Sequence, residues 1–292
     1  MNLSPIELLT GTLWYWLPAF CAWAMLHLTY LIGKSKDEYS LIDIAWGMGF
    51  VIQTSVQLLI LYFTSTDSLN WRAICVTICV AAWGLRLSWH IGLNHEGEDW
   101  RYVILRKRFH DDDPEIFQKK IYRYIFMLQW TLMTIACYSP CNIIIWSTNN
   151  NVTIFDILGV SIFLFGFFFE AIGDHQLNKY REKRDLATRN GTKMERYCKE
   201  GLWAYTRHPN YFGEVVVWWG IFLLSFGNNP NGFCYFSILS PILMNYLLRY
   251  RSGVPFLEKK HMKDPEFQEY ASRVSPFIPW IPKPKKVTSK SE

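Results

Sequence analysis

The sequence predicts an all-α membrane protein of about seven transmembrane helices, and three observations predict it. Half of its 292 residues are apolar and 17 % are aromatic, including 14 Trp, far more ring surface than a soluble domain of this length carries. The apolar residues fall in runs long enough to cross a hydrocarbon layer of ~30 Å, which takes roughly 17 to 25 helical residues. The basic residues collect at alternate ends of those runs. Of the 30 Lys and Arg, 28 lie in the segments 34–40, 94–123, 174–207 and 249–292, leaving only Arg72 and Arg86.

Seven runs are read, at about 12–33, 41–63, 72–93, 121–147, 152–173, 213–228 and 231–248. The fourth is interrupted by Ser139 and Pro140, and the sixth is short. Met1 to Ile6 lacks a basic stretch, so no cleavable signal peptide is expected. The basic segments alternate with the nearly uncharged connections 64–70, 147–151 and 227–231. Lys and Arg accumulate in cytoplasmic loops, so seven spans with the N-terminus outside or lumenal and the C-terminus cytosolic satisfy every loop. The expected location is the endoplasmic reticulum for a eukaryotic chain and the inner membrane for a bacterial one. The formal charge of +5 is then mostly topology and speaks against a nucleic-acid partner.

Cys75 and Cys79, like Cys137 and Cys141, have helical spacing, but they lie within spans and lack a matching His or Cys set. They read as small packing residues, and no metal is expected. Asn151, Val152 and Thr153 form a glycosylation acceptor pattern close to the membrane. No internal repeat is visible. The expectation is one integral membrane domain over 1–282, followed by a basic disordered tail, 283–292, beside anionic lipid.

Three charged constellations mark the cytosolic side. At the end of the third run Arg86, His90 and Asn94 recur every four residues on one helical stripe. A guanidinium inside a span is costly unless paired or wetted, which makes Arg86 a functional candidate, the alternative being an Arg that snorkels to the headgroups. Arg101 follows, with Glu98 and Asp99 to cap or pair with it. At the end of the fifth run Glu170 and Asp174 share a helix face that Asn178 and Arg181 continue. Two adjacent carboxylates call for a cation, which Arg86, Arg101 or Arg207 would supply. The alternative is a salt-bridged helix end without a ligand.

The third constellation is the segment GLWAYTRHPNYFGE, residues 201–214. Arg207, His208 and Pro209 break its apolar character, and Pro209 disfavours helix at His208, so it reads as a partly buried turn. A new helix then opens with Asn210, Tyr211 and Glu214 in its first turns, offering free backbone N–H groups to an anion. Arg207 adds a bidentate clamp for phosphate or carboxylate. Glu214 either accepts from a ribose hydroxyl or amide, or neutralises Arg207. Beyond the last run, Arg249 and Arg251 precede Gly253 and Pro255. Phe256, Leu257, Phe267 and Tyr270 then predict one or two short amphipathic helices lying on the membrane face.

These residues resemble the steroid 5-alpha-reductase-like membrane superfamily, and within it the branch known as DUF1295. The matching pieces are IDIAWGMGF at 42–50, WGLRL at 83–87, GEDWRY at 97–102, GDHQL at 173–177, RHPNYFGE at 207–214 and SGVPFLEKK through FIPW, spanning about 41–280. Isoprenylcysteine carboxyl methyltransferases and sterol reductases carry a turn similar to RHPNYFGE. The GEDWRY and SGVPFLEKK pieces narrow the resemblance to this branch.

The resemblance implies a seven-span helical fold that holds NADPH in a cavity open to the cytosol, with an apolar enone entering from the membrane. It implies cofactor contacts for Arg86, Asn94, Arg101, Asp174, Arg181, Asn210 and Glu214 and for Arg249 or Arg251. Arg207 and His208 in the same turn join that set. Reductases of this kind present a glutamate and a tyrosine to the substrate carbonyl, and neither has an evident counterpart here. Trp83 stands near the tyrosine position. Asp43 is the acidic residue of the second run, with Gln53 and Gln57 deeper. Asp43 is therefore either the proton donor or a helix-capping residue, and Tyr211 joins it as a catalytic candidate.

The expected activity is reduction of a carbon–carbon double bond in a lipid- or sterol-like enone. Two alternatives stand beside it. One is a membrane methyltransferase using S-adenosylmethionine, which has no phosphates and needs fewer cations. The other is a non-catalytic lipid- or sterol-binding protein. The expected partners are the apolar small molecule and membrane lipids.

Overall fold

The computed structural model describes residues 5–65, 68–109, 113–148, 150–228 and 232–284. Most of the expected basic tail, 285–292, lies outside the described residues. Among them the structure is helical throughout, without strands apart from one isolated parallel bridge, Thr206 with Ser275. The chain divides into two compact units. Residues 1–157 and 221–240 form the first, and 158–220 with 241–292 the second.

Unit 1 opens with three long apolar helices: α1 (Pro5–Lys36), α2 (Leu41–Thr64) and α3 (Trp71–Leu93). They bury Leu26, Ile42, Phe50, Val76, Val80 and Trp83, while equally apolar side chains such as Phe63, Ile78 and Trp89 stay exposed. A surface as apolar as the core is what a lipid solvent requires. The turn from α1 to α2 places Asp37 at φ 56, where Arg106 grips its carboxylate at 2.7 Å. Asn70 caps α3 by accepting from the Arg72 N–H at 2.9 Å.

Two short helices follow, α4 (Trp100–Arg108), capped by Asp99, and α5 (Pro114–Ile121), capped by Asp113. The fourth apolar run is built in pieces: a π-helical stretch Tyr122–Met127, α6 (Leu128–Ala136) and α7 (Tyr138–Trp146), with the break at Cys137. The sequence places the interruption at Ser139 and Pro140. The helix ends just before them because a proline removes an N–H and crowds the preceding turn.

The long helix α8 (Ile154–Arg189) starts in unit 1 and continues through unit 2. At 36 residues it is about 54 Å long, so its charged C-terminal part extends well past a hydrocarbon layer of ~30 Å. At its start Asp156 forms a buried pair with Arg72, 2.7 Å from both Nε and Nη2, and also accepts from Thr153 N and Oγ1. This pair accounts for Arg72, which the charge bias leaves on the far side.

Unit 2 carries the rest of α8, most of α9 (Pro209–Leu224), the end of α10 (Leu239–Tyr246), α11 (Val254–His261) and α12 (Pro265–Arg273). A π-helical turn, Leu247–Arg251, links α10 to α11. α8 and α9 meet backbone to backbone: a Cβ on Gly213 would lie 2.6 Å from Glu170 N, and one on Gly166 2.6 Å from Val217 N. Among the described residues four helices, Trp14–Lys36 of α1 together with α2, α3 and α8, are long and apolar enough to cross a membrane. The sixth and seventh expected spans are shorter helices extended by 3-10 or π turns, Ser225–Asn228 after α9 and Gly232–Ile238 before α10.

Candidate functional site

The 201–214 segment is strapped onto α8. Gly201 has φ 58, and a Cβ there would come within 2.6 Å of the Gln176 amide oxygen, so only glycine suits both the backbone and the contact. Gln176 Oε1 accepts from Leu202 N at 2.9 Å, and Trp203 Nε1 donates to Gly173 O at 2.9 Å. On the other side Tyr270 donates to Trp203 O at 2.6 Å, and Thr206 Oγ1 to Phe277 O at 2.7 Å. The turn is thus clamped between α8 and the C-terminal segment, and Pro209 starts α9 directly from it.

At the centre of that clamp Arg207 and His208 converge on Glu258 of α11. Arg207 donates Nε and Nη2 to the two carboxylate oxygens at 2.7 and 2.9 Å, and Nη1 to the carbonyls of Ala271 (2.9 Å) and Val274 (2.5 Å). His208 Nε2 stands 3.0 Å from Glu258 Oε1. Burial pushes the Glu258 carboxyl up, but hydrogen bonds from His208 and Arg207 and the Arg207 charge overcome it and hold the group at about 2. Burial also lowers His208, opposed by Glu258 and reinforced by the Arg207 and Arg249 charges. His208 is therefore a neutral imidazole donating Nε2–H to an ionised Glu258, and Arg249 lies near enough for its charge to be felt there.

The first turn of α9 adds the rest. Asn210 donates Nδ2 to Asp174 Oδ1 at 3.1 Å, and its own oxygen accepts from Tyr211 N at 3.0 Å. The Tyr211 and His208 rings stack at 5.6 Å and 5°. Glu170, Asp174 and Glu214 are all buried, the Gly213 approach bringing the chain beside Glu214 against Glu170. Arg181 and Arg251 are exposed, and Arg249 is half-buried over the Tyr250 ring.

In unit 1 the loop after α3 straps the start of α2. Glu98 accepts from Tyr39 N and Ser40 N at 2.7 and 2.9 Å, and His95 pairs with Glu38 at 2.5 Å. Arg101 bridges Asp43 (2.7 Å) and Asp99 (2.8 Å), and the Tyr102 hydroxyl donates to the other Asp43 oxygen at 2.9 Å. Burial lowers Arg101, but Asp43 and Asp99 outweigh it and the net shift is upward, so it stays a cation. Asn94 is the exposed cap of α3, donating to His90 O at 2.7 Å. Arg86 is half-buried in α3.

The structure thus joins Asp174 with Asn210, Arg207 with His208 and Tyr211, and Asp43 with Arg101. Two assignments change. The group that neutralises Arg207 is Glu258 rather than Glu214, because the bidentate fork fits a carboxylate reached from α11. The N-cap of α2 is Ser40 and no side chain caps that end, so Asp43 is not a capping residue but the anchor of Arg101 and Tyr102, while Glu98 holds the backbone N–H groups of Tyr39 and Ser40 just before the helix. Sequence reading passed over Glu258, Glu98 and Tyr102 as site residues, although all three lie within the SGVPFLEKK and GEDWRY pieces.

Among the described residues, fold and clusters define an all-helical protein with four helices fit to cross a membrane and charged side chains packed at helix ends. The chain belongs to the family described as Protein of unknown function (DUF1295), whose family model matches residues 29–274. An uncharacterized protein of Schizosaccharomyces pombe is similar, 24 % identical over 266 residues that cover 82 % of this chain and 68 % of that protein. No solved structure matches.

Proposed function

We propose that the chain is a seven-span membrane reductase that takes NADPH from the cytosol and reduces the carbon–carbon double bond of a lipid-like enone. It would reside in the endoplasmic reticulum or, in a bacterium, the inner membrane. What carries the reading is the polar cluster at the first turn of α9, where Asn210 meets Asp174, His208 is fixed neutral on Glu258, and the Arg249 charge reaches the same place. A helix N-terminus with a nearby guanidinium suits a phosphate, and a buried carboxylate–amide pair suits ribose hydroxyls or a carboxamide.

The cofactor would supply the hydride. Arg249, Arg251 and Arg181 would hold its phosphates, and Asp174, Asn210 and Glu214 would orient it. Tyr211, stacked on His208, would donate a hydrogen bond to the substrate oxygen as charge develops there. One observation favours the methyltransferase alternative: Arg207 is committed to Glu258 and two carbonyls, which leaves one cation fewer for phosphates. A non-catalytic lipid-binding protein would hold an apolar molecule without the chemistry.

The test is a thermal-shift titration of the purified protein. NADPH should stabilise it more than NADH or S-adenosylmethionine, since ligand bound only to the folded state raises the midpoint. Asp174→Asn should remove the response while its unliganded midpoint stays measurable. A larger response to S-adenosylmethionine would overturn the reductase reading, and NADPH oxidation with added lipid enones would identify the substrate class.

A further inference from the structure

The C-terminal segment 275–283 is held in place on one side and bare on the other. Arg207 N donates to Ser275 O at 2.9 Å, Trp280 N to Tyr205 O at 3.0 Å, and Lys283 N to Arg273 O at 3.0 Å. Arg273 Nε returns a bond to Lys283 O at 2.9 Å. Phe277 faces inward, packed with Val215 and Val254. The opposite side displays Ile278, Trp280 and Ile281, exposed by 63, 72 and 77 %. Large apolar side chains fixed outward by backbone hydrogen bonds form an ordered surface, and such a surface needs something apolar to cover it.

Two hollows flank it. A notch of about 230 Å³ is lined by Tyr205, Pro279, Trp280 and Ile281. Beside it a hollow of about 440 Å³ shares Trp280 and Ile281 as a wall and adds Arg207, Arg273 and Lys283. The charges there do not cancel. Arg207 is neutralised by Glu258 and Arg273 shares Glu269 at 3.2 Å, while Lys283 is exposed with no acidic partner among the described residues. The sequence beyond adds Lys285, Lys286 and Lys290 against a single Glu292.

We propose that the paired hollows bind one anionic phospholipid, its acyl chain along Trp280 and Ile281 and its headgroup phosphate over Lys283 and Arg273. The apolar and cationic halves meet at one wall, as the two ends of an amphiphile do, and Trp with Lys is the pairing that membrane–water boundaries favour. On the orientation read from the charge bias, the lipid belongs to the cytosolic leaflet, the more anionic one. None of Trp280, Ile281 and Lys283 belongs to the proposed cofactor contacts, so this site stands or falls independently of the reductase reading.

Native mass spectrometry of the full chain, released from neutral detergent, tests it. Phosphatidylglycerol should be retained as a single adduct in preference to phosphatidylcholine. Lys283→Glu should weaken retention by about fivefold or more, and the doubly substituted Trp280→Ala, Ile281→Ser should lose the adduct. All three positions are exposed, and an unchanged melting midpoint would show that each variant is folded. Equal retention of the two lipids, or retention unchanged in both variants, would overturn the proposal. Glycerol phosphate or inorganic phosphate displacing the lipid at equal concentration would also overturn it, by making the hollow a site for soluble phosphate.

Discussion

Glu258 is the residue on which the clamp around α9 depends, and Glu258→Gln tests it with little change of shape. In the folded protein its carboxyl sits at about 2 against an ordinary 4.5. That gap, at ~1.4 kcal/mol per pH unit, corresponds to ~3 kcal/mol favouring the folded state at neutral pH. The side chain is only 14 % exposed, so solvent screening removes little of it. Breaking a buried pair by removing one charge costs a similar 3–5 kcal/mol or so. Because the folded pKa is depressed, the contribution is complete above pH 4.5 and disappears as pH falls from there toward 2. His208 acts in the same direction: its lowered pKa means that protonation below about pH 6.5 favours the unfolded chain. Glu258→Gln should therefore lower the melting midpoint by roughly 6 to 12 °C at pH 7. It should also flatten the acid limb, both read by intrinsic fluorescence in detergent. A midpoint within about 2 °C of the parent, with an unchanged acid limb, would refute the argument.

Other expectations follow from the same geometry. Arg72→Ala should cost about 3–5 kcal/mol because it strands Asp156 in a buried site; a double-mutant cycle with Asp156→Ala measures the coupling, and a cycle near zero contradicts it. Gly213→Ala should destabilise by about 1–3 kcal/mol, since its new methyl would lie 2.6 Å from Glu170 N, backbone that cannot swing aside; a melting curve checks it. Tyr197→Phe removes a hydroxyl that donates to Asp264 at 2.9 Å and sits 3.1 Å from His261, and should cost about 1 kcal/mol. In the parent, burial and Asp264 hold that phenol up at about 12, so it should not ionise below pH 11 in an ultraviolet titration.

Several features were legible in the chain itself. Apolar run length marked α1, α2, α3 and α8, because crossing a membrane sets a minimum length whatever surrounds the helix. Pro209 marked the start of α9, since it tolerates the first helical turn and disfavours helix at His208. The i,i+4 spacing put Glu170 and Asp174 on one face of α8, and the family followed from short pieces scattered over most of the chain.

Only the tertiary structure decided the partners. Arg207 and Glu258 stand 51 residues apart, and Asp43 meets Arg101 across 58. Charge is readable in a sequence, but which charge it faces depends on how helices pack. Glu214 was the partner for Arg207 that the sequence suggested as one of two roles, and the guanidinium fork is filled instead by Glu258, which α11 carries into it. Likewise the Gly213 and Gly166 contacts, which let α8 and α9 touch along their backbones, have no local signature: a glycine shows where a chain can approach, and only packing shows what approaches it.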